Sequence, residues 1–280
     1  MSIAAIVGAG SLGGAIAHKL SARDRFSEVR LIDAAGGVAA GQALDIQQAA
    51  AVEHFRTRVT AHTDLDGVTG ASVIVIARGV EDDGADKTQL ATLERTFLFN
   101  RRAVIVCADP SHRPLVGRGV SMLEIPRRQL IGSAPAAFQS ALRAIVGVEI
   151  RCSAAEVSLA VLGTPPEHVV VPWNEATVRG YPLGSQLSAP RLMRLQARIR
   201  NLWPPGPYTT ASATAQVCEA IAGGSGMKGL SVFYSLDGEL GARGTTAAVT
   251  VELGATGVIR VLEPELTVQE RVQLDSALQS

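Results

Sequence analysis

Aromatic side chains are scarce in this chain, at 4% of residues. Aliphatic and alanine packing must therefore supply its core. An excess of charge is missing too: Lys+Arg and Asp+Glu each total 26, for a formal net charge of +0. Such a balance makes no long-range field for nucleic acid or for an anionic membrane, so neither is expected as a partner. Cysteine is sparse and odd in number. Cys107, Cys152 and Cys218 lie far apart with no zinc-like or redox spacing, so no metal site is expected. They read as free thiols of a reducing cytoplasm. Long apolar runs are also absent. No stretch approaches the roughly 20 residues of a membrane span, and the short N-terminal apolar run lacks the basic flank of a signal peptide. There is no internal repeat and no low-complexity segment. What is abundant is hydrophobic residue, 47% of 280, enough for one large domain or two moderate ones.

The most informative stretch is the first. Ile3–Val7 is followed by Gly8-Ala-Gly10-Ser-Leu-Gly13, an alanine-rich segment, and Val29-Arg-Leu-Ile-Asp33. Strand, glycine turn, helix, strand and acid follow in the order of a dinucleotide-binding fingerprint. Gly8 permits the tight turn, Gly10 lets backbone approach a pyrophosphate, and Gly13 lets the helix pack on the strand. The N–H groups of the helix start, at Ser11 and Leu12, face the phosphates. Asp33 is placed to accept hydrogen bonds from both ribose hydroxyls and to repel a 2′-phosphate, which favours NAD over NADP. The alternative is a fold that keeps these glycines for packing alone.

Further strands are expected at Val73–Ala77, Val104–Val106 and Gln129–Ile131, with helices at Ser11–Ser21, Val38–Val52 and Thr88–Arg102. The strands are nearly continuous apolar runs, as in a parallel sheet covered on both faces. This alternation predicts an α/β, doubly wound sheet. The second half changes character. Strands are expected at Val157–Leu162 and Val169–Val171, then a helix with a basic exposed side at Arg191–Trp203, broken by Pro204-Pro-Gly-Pro207. A helix at Ala211–Ala222 precedes an antiparallel meander of Ser231–Leu236, Ala247–Leu253 and Val258–Leu262. Thr267–Leu278 reads as a terminal helix with Thr267 and Glu270 as a capping box. The division falls near Ser133: residues 1–133 as a Rossmann-type nucleotide domain, 134–280 as an α+β domain.

Past Asp33 the chain reads Val38-Ala-Ala-Gly-Gln-Ala-Leu-Asp45-Ile. Later come Val73-Ile-Val-Ile-Ala-Arg-Gly79, Gln129-Leu-Ile-Gly132, Val178-Arg-Gly-Tyr-Pro-Leu183, Val232-Phe-Tyr-Ser-Leu-Asp-Gly-Glu239 and Leu266-Thr-Val-Gln-Glu270. In order and spacing this series resembles the lactate/malate dehydrogenase superfamily, chiefly its malate dehydrogenase branch, over nearly the whole chain. The resemblance implies NAD as cofactor, held by Gly8, Gly10, Ser11, Leu12, Gly13, Asp33, Ala77, Gly79 and Asp109. It also implies a homo-oligomer, with pairing to an active relative as a variant. The family reaction is hydride transfer between NAD and a 2-hydroxy acid. It needs a histidine that exchanges a proton near neutral pH, a carboxylate that orients it, and arginines for the substrate carboxylate.

At each of these places the sequence departs. Where the family has Gly-x-His-Gly-Asp, this chain has Gly163-Thr-Pro165-Pro166-Glu167, so proline stands in place of the proton carrier. The orienting aspartate and the fixed arginine fall on Phe138 and Ala141. Because Phe138, Leu142 and Ile145 recur at helical spacing, Phe138 reads as a packing residue. The mobile loop, basic in the family, reads Val80-Glu81-Asp82-Asp83-Gly84, and the next family arginine falls on Lys87. The asparagine of the Thr-Asn-Pro turn becomes Asp109. Arg78 either meets a cofactor phosphate or points to solvent. Lys87, His168 and His112 are the candidate partial substitutes. His18, His54 and His62 lie in helix or connection contexts with no better claim.

Losing a general acid–base typically costs about 10²–10⁴ in rate, and Glu81–Asp83 would repel a carboxylate substrate. The expectation is a catalytically degenerate relative that keeps a nucleotide-binding fold. The alternatives are an active oxidoreductase with a rebuilt pocket, suited to a neutral or cationic substrate, and a non-catalytic scaffold or assembly subunit.

Overall fold

The computed structural model describes residues 2–77, 86–224 and 226–279, and the side chains of Asp86 and Lys87 fall outside that description. The first half runs β1 (Ile3–Val7), α1 (Ser11–Ala22), β2 (Glu28–Ile32), α2 (Gly36–Glu53), β3 (Arg58–His62), β4 (Val73–Ile76), α3 (Asp86–Phe99), β5 (Val104–Cys107), α4 (Arg113–Ser121) and β6 (Leu130–Gly132). Its six strands pair in parallel in the order β3-β2-β1-β4-β5-β6. Every residue of β4 and β5 is buried, because helices cover both faces. This is the doubly wound sheet that the alternating pattern predicts.

The second half runs α5 (Ala134–Ile150), β7 (Val157–Ser158), β8 (Leu162–Thr164), β9 (His168–Val170), β10 (Thr177–Val178), β11 (Tyr181–Pro182), α6 (Ala189–Arg198), α7 (Pro207–Gly223), β12 (Met227–Asp237), β13 (Arg243–Gly254), β14 (Gly257–Val261) and α8 (Val268–Gln279). β12, β13 and β14 form the antiparallel meander, and β8 and β9 extend it beyond β13. One sheet continues through both halves: β6 meets β12 antiparallel, with Gly132 opposite Phe233. A Cβ on Gly132 would lie 2.9 Å from Phe233 Cδ2, so glycine is what lets the two strands meet there. Among the described residues no helix is long and apolar enough to cross a membrane.

Several elements differ from expectation. β3 was not anticipated, because it is an edge strand with a single buried residue, and its polar sequence carries little apolar signal. His62 therefore ends a strand rather than lying in a connection. α4 was not anticipated either. The α3 helix stops at Phe99 instead of Arg102, since the Asn100 amide turns away to donate to the Val68 and Ala71 carbonyls, each at 2.9 Å. The stretch Val157–Leu162 is two strands, not one. Between them, the Leu159 carbonyl accepts from the Gln139 amide at 2.6 Å and the Val161 N–H donates to Ser231 Oγ at 3.0 Å, so side chains replace the ladder. The helix expected to run to Trp203 leaves α geometry at Arg198 and ends in a 3₁₀ turn over Ile199–Leu202. α7 begins at Pro207, four residues before Ala211, as proline suits a first helical turn. The Thr267–Glu270 box caps α8 as expected: Glu270 accepts the Thr267 N–H at 2.9 Å, and Thr267 Oγ1 accepts the Glu270 N–H at 3.2 Å.

Gln139 on α5 ties this half together. It is 5% exposed, donates to the carbonyls of Leu159 and Gly229, and accepts the Ser231 N–H at 3.1 Å. Replacing it with leucine strands two buried backbone groups, the Leu159 carbonyl and the Ser231 N–H, each costing about 1–3 kcal/mol when unsatisfied. Gln139→Leu is therefore expected to lower unfolding stability by at least about 2 kcal/mol in urea titration. A loss under about 0.5 kcal/mol contradicts this assignment.

A second tie joins the 3₁₀ turn before β6 to the β12–β13 connection: Arg127 donates to Glu239 at 2.6 Å. Burial opposes ionisation of Glu239, but backbone N–H donors at Asp237 and Glu239 and the Arg127 guanidinium outweigh it and hold the carboxyl below its usual range. A carboxyl lowered on folding stabilises the fold above its unfolded pKa, and that stability fades as pH falls through the lower folded value. Urea midpoints should thus drop as pH falls below about 4.5, and Glu239→Gln should flatten that drop.

Candidate functional site

The glycine turn has the geometry its sequence demands. Gly8 leaves β1 at φ +99°, a conformation closed to most side chains, and its N–H donates to the Ile32 carbonyl at 2.8 Å. Gly10 is the N-cap of α1; it offers no side-chain cap, and the first turn carries no acid. The leading N–H groups of α1, at Ser11, Leu12 and Gly13, thus have no side-chain acceptor of their own. Gly13 is buried where a Cβ would run into the Gly8 carbonyl oxygen, with Ala77 Cβ 3.6 Å away. No other residue allows this helix so close to β1.

Asp33 follows β2 and points back over the turn. Oδ2 accepts the Ala9 N–H at 2.7 Å and Oδ1 accepts the Ala35 N–H at 2.9 Å. A carboxylate has about four acceptor sites, so two remain for a ligand's hydroxyl groups. Beside it lies a cavity of about 350 Å³ at the C-terminal ends of β1, β2 and β4. Gly8, Asp33 and Ala77 line it, with Gln89, Thr92 and Arg95 of α3 and with His112. These residues fit an adenosine, with a hydroxyl acceptor over a small-residue floor, and the uncapped N–H groups of α1 that suit its phosphates follow Gly8 within the same turn. The α3 residues were missed in the sequence, where nothing marks which face of that helix overhangs the sheet. Gly79, Arg78 and Val80–Gly84 lie outside the described residues.

A second cleft, about 600 Å³, opens where the two halves of the sheet meet. Leu12 and Asp109 border it on the nucleotide side. Pro165, Pro166 and Glu167 reach it from the β8–β9 turn, and Trp203, Pro204, Pro205 and Pro207 from the α6–α7 connection. Pro110, Ser111, Arg113 and Pro114 complete that rim. Asp109 holds its own turn, accepting the Ser111 N–H at 2.9 Å and the Ser111 hydroxyl at 2.6 Å. Trp203 is fixed from behind, edge-on to Phe138 (centroids 5.6 Å apart) and to Phe233 (6.1 Å).

The two suggested histidines are placed elsewhere. His112 is 1% exposed; its Nδ1 accepts the Asp109 N–H at 3.3 Å, and it borders the cavity beside Asp33 rather than this cleft. His168 is exposed on β9 and faces a groove against α8. The side chain of Lys87 lies outside the described residues. Phe138 is fully buried in the core, and Ala141 borders neither cavity. Of the thiols, Cys107 is buried and pushed up to about 12 by desolvation, burial raises Cys218 likewise, and Cys152 is half-buried. A thiol so raised is inert as a nucleophile. Arg113, Pro114, Trp203 and Thr210 are among the cleft residues that sequence reading missed; Arg113 follows Asp109 closely enough for that turn to have drawn attention to it.

Residues 3–108 match the family model described as lactate/malate dehydrogenase, NAD binding domain. The malate dehydrogenase of Desulforudis audaxviator is 29% identical, aligned over 98% of this chain and 94% of its own length. That of Cytophaga hutchinsonii is 27% identical over 97% and 93%. Among solved structures, the malate dehydrogenase from Salinibacter ruber superposes with a TM-score of 0.90 at 23% identity, covering 98% of this chain and 93% of that one. The lactate dehydrogenase from Cryptosporidium parvum, complexed with lactic acid and nicotinamide adenine dinucleotide, superposes with a TM-score of 0.91 at 20% identity, covering 99% and 95%. Residues 3–108 are thus of that family's NAD-binding type, and over nearly its whole length the chain is similar to malate dehydrogenases and has the fold they share with lactate dehydrogenases.

Proposed function

We propose that this protein binds NAD at the glycine turn of its first 133 residues and does not carry out conventional 2-hydroxy acid oxidation. The observation that carries this reading is the make-up of the cleft beside Pro165. Among the described residues lining it there is no histidine, lysine or cysteine. NAD, when bound, supplies a hydride acceptor. Asp33 would hold the adenosine ribose, and the Ser11, Leu12 and Gly13 N–H groups the pyrophosphate. Leu12 and Asp109 border the cleft that the nicotinamide end would face. A substrate hydroxyl there still needs a group to take its proton. Pro165 has none, Phe138 is packed against Trp203, and His112 and His168 face other spaces; of the two carboxylates on the lining, Asp109 is engaged by the Ser111 N–H and hydroxyl, and Glu167 is exposed to water. Arg113 is a cation but not a base at working pH. Orientation without proton transfer supports binding rather than ordinary turnover.

NADH fluorescence titration should show saturable binding. Asp33→Asn should weaken it about 10–100-fold, the range for losing hydrogen bonds to a charged acceptor. NAD reduction with malate or lactate should run at least about 100-fold below ordinary dehydrogenase rates. Turnover near about 10 s⁻¹ with either acid would sink the loss of catalysis, and a chain that does not bind NADH leaves only the scaffold.

A further inference from the structure

The proline-walled cleft has a composition that selects a ligand. Half of its fourteen described lining residues are proline. Proline has no N–H, so those walls offer flat apolar faces and carbonyls but no backbone donors. The nearby hydroxyls are spoken for: Thr210 donates to the Pro205 and Gly206 carbonyls, and Ser111 to Asp109. Trp203 adds a rigid indole, locked by Phe138 and Phe233. Against this apolar lining stands one cation. Arg113 is half-buried, and its guanidinium has no hydrogen-bond or ion-pair partner among the described residues. The other charges on the lining are Asp109 and the exposed Glu167, both acidic.

From this arrangement we infer that the cleft binds a monoanion with an apolar ring body, its anionic group held by Arg113 and its ring against Trp203 and the prolines. A guanidinium pairs with a carboxylate through two parallel N–H donors. A ring gains most from indole and pyrrolidine faces. A small dicarboxylate fits poorly, because its second charge finds acids instead of a cation and few donors replace its water. The inference rests on reading this cleft as a binding site. The anionic group is a carboxylate of a cleft ligand, not a phosphate of the dinucleotide, and the two sources are separable.

The chain has two tryptophans, and Trp173 faces the groove against α8 rather than the cleft. In Trp173→Phe protein, Trp203 is the only indole, and its fluorescence reports the cleft. Phenylacetate should quench it saturably, with malonate and benzyl alcohol each binding at least about tenfold more weakly. Arg113→Gln should weaken phenylacetate about tenfold or more, and Arg113→Lys should keep part of the affinity. Three results overturn the proposal: no saturable phenylacetate binding, equal binding to the Arg113→Gln protein, or malonate bound as tightly as phenylacetate. NADH is titrated separately on the same proteins. If Arg113→Gln weakens NADH tenfold and leaves phenylacetate unchanged, Arg113 serves the dinucleotide phosphate and the proposal fails. If NADH does not bind but phenylacetate binds through Arg113, the NAD reading falls and the cleft assignment stands.

Discussion

The contact of Gly132 with Phe233 is the constraint on which the rest of the molecule turns. A parallel sheet and an antiparallel meander become one sheet there, through a single opposed pair. A side chain at 132 would push β12 away. Phe233, seated on that glycine, is an edge-on partner of Trp203, which also meets Phe138. Immediately after Gly132, the Ser133 N–H donates to the Cys107 carbonyl at 3.0 Å, which sets the end of β5 and hence Asp109. Both walls of the cleft are therefore positioned by the strand junction. Dense packing transmits such positioning, since interiors have little free volume to absorb a shift.

The parts of this fold legible in the sequence are those whose signal is local. Val73–Ile76 and Val104–Cys107 are buried on both faces, and continuous β-branched runs announce that without any partner. The glycine turn is legible because each glycine answers a separate steric demand within a few residues. β3 was illegible because an edge strand with one buried side chain has no such pattern. Gln139 was illegible for a different reason. Its partners, Leu159, Gly229 and Ser231, are remote in the chain, so an amide inside an apolar helix face gave no hint of what it joins. The cleft was readable only piecewise. Pro165 and the Pro204–Pro207 run stand out in sequence, but their convergence on Pro110 and Arg113 is a product of topology.

The two cavities also differ in what they are made of. The one beside Asp33 depends on backbone: a left-handed glycine, uncapped helix N–H groups, a close helix–strand approach and one carboxylate. Such a site tolerates most changes that leave the strand–turn–helix and Asp33 intact. Acid–base chemistry in a cleft depends instead on a few side chains with matched pKa values and mutual geometry. A chain can therefore hold the fold and the nucleotide-binding geometry of its relatives while its cleft takes on another character. This is the physical content of the rule that fold does not fix function.

In this cleft the departures reinforce one another. Where the family resemblance places an orienting carboxylate, Phe138 is fully buried and packed edge-on against Trp203. A carboxylate there would be desolvated in a wholly apolar cluster, at a cost of several kcal/mol unless paired. A histidine at Pro165 alone would lack that orienting partner, and a carboxylate at Phe138 alone would lack anything to orient. The single changes are thus unfavourable or idle by themselves. Phe138 moreover helps hold Trp203, whose indole forms one wall of the cleft, so a carboxylate at 138 would dismantle that surface. The apolar packing of Phe138 and the indole wall of the cleft are two aspects of one arrangement.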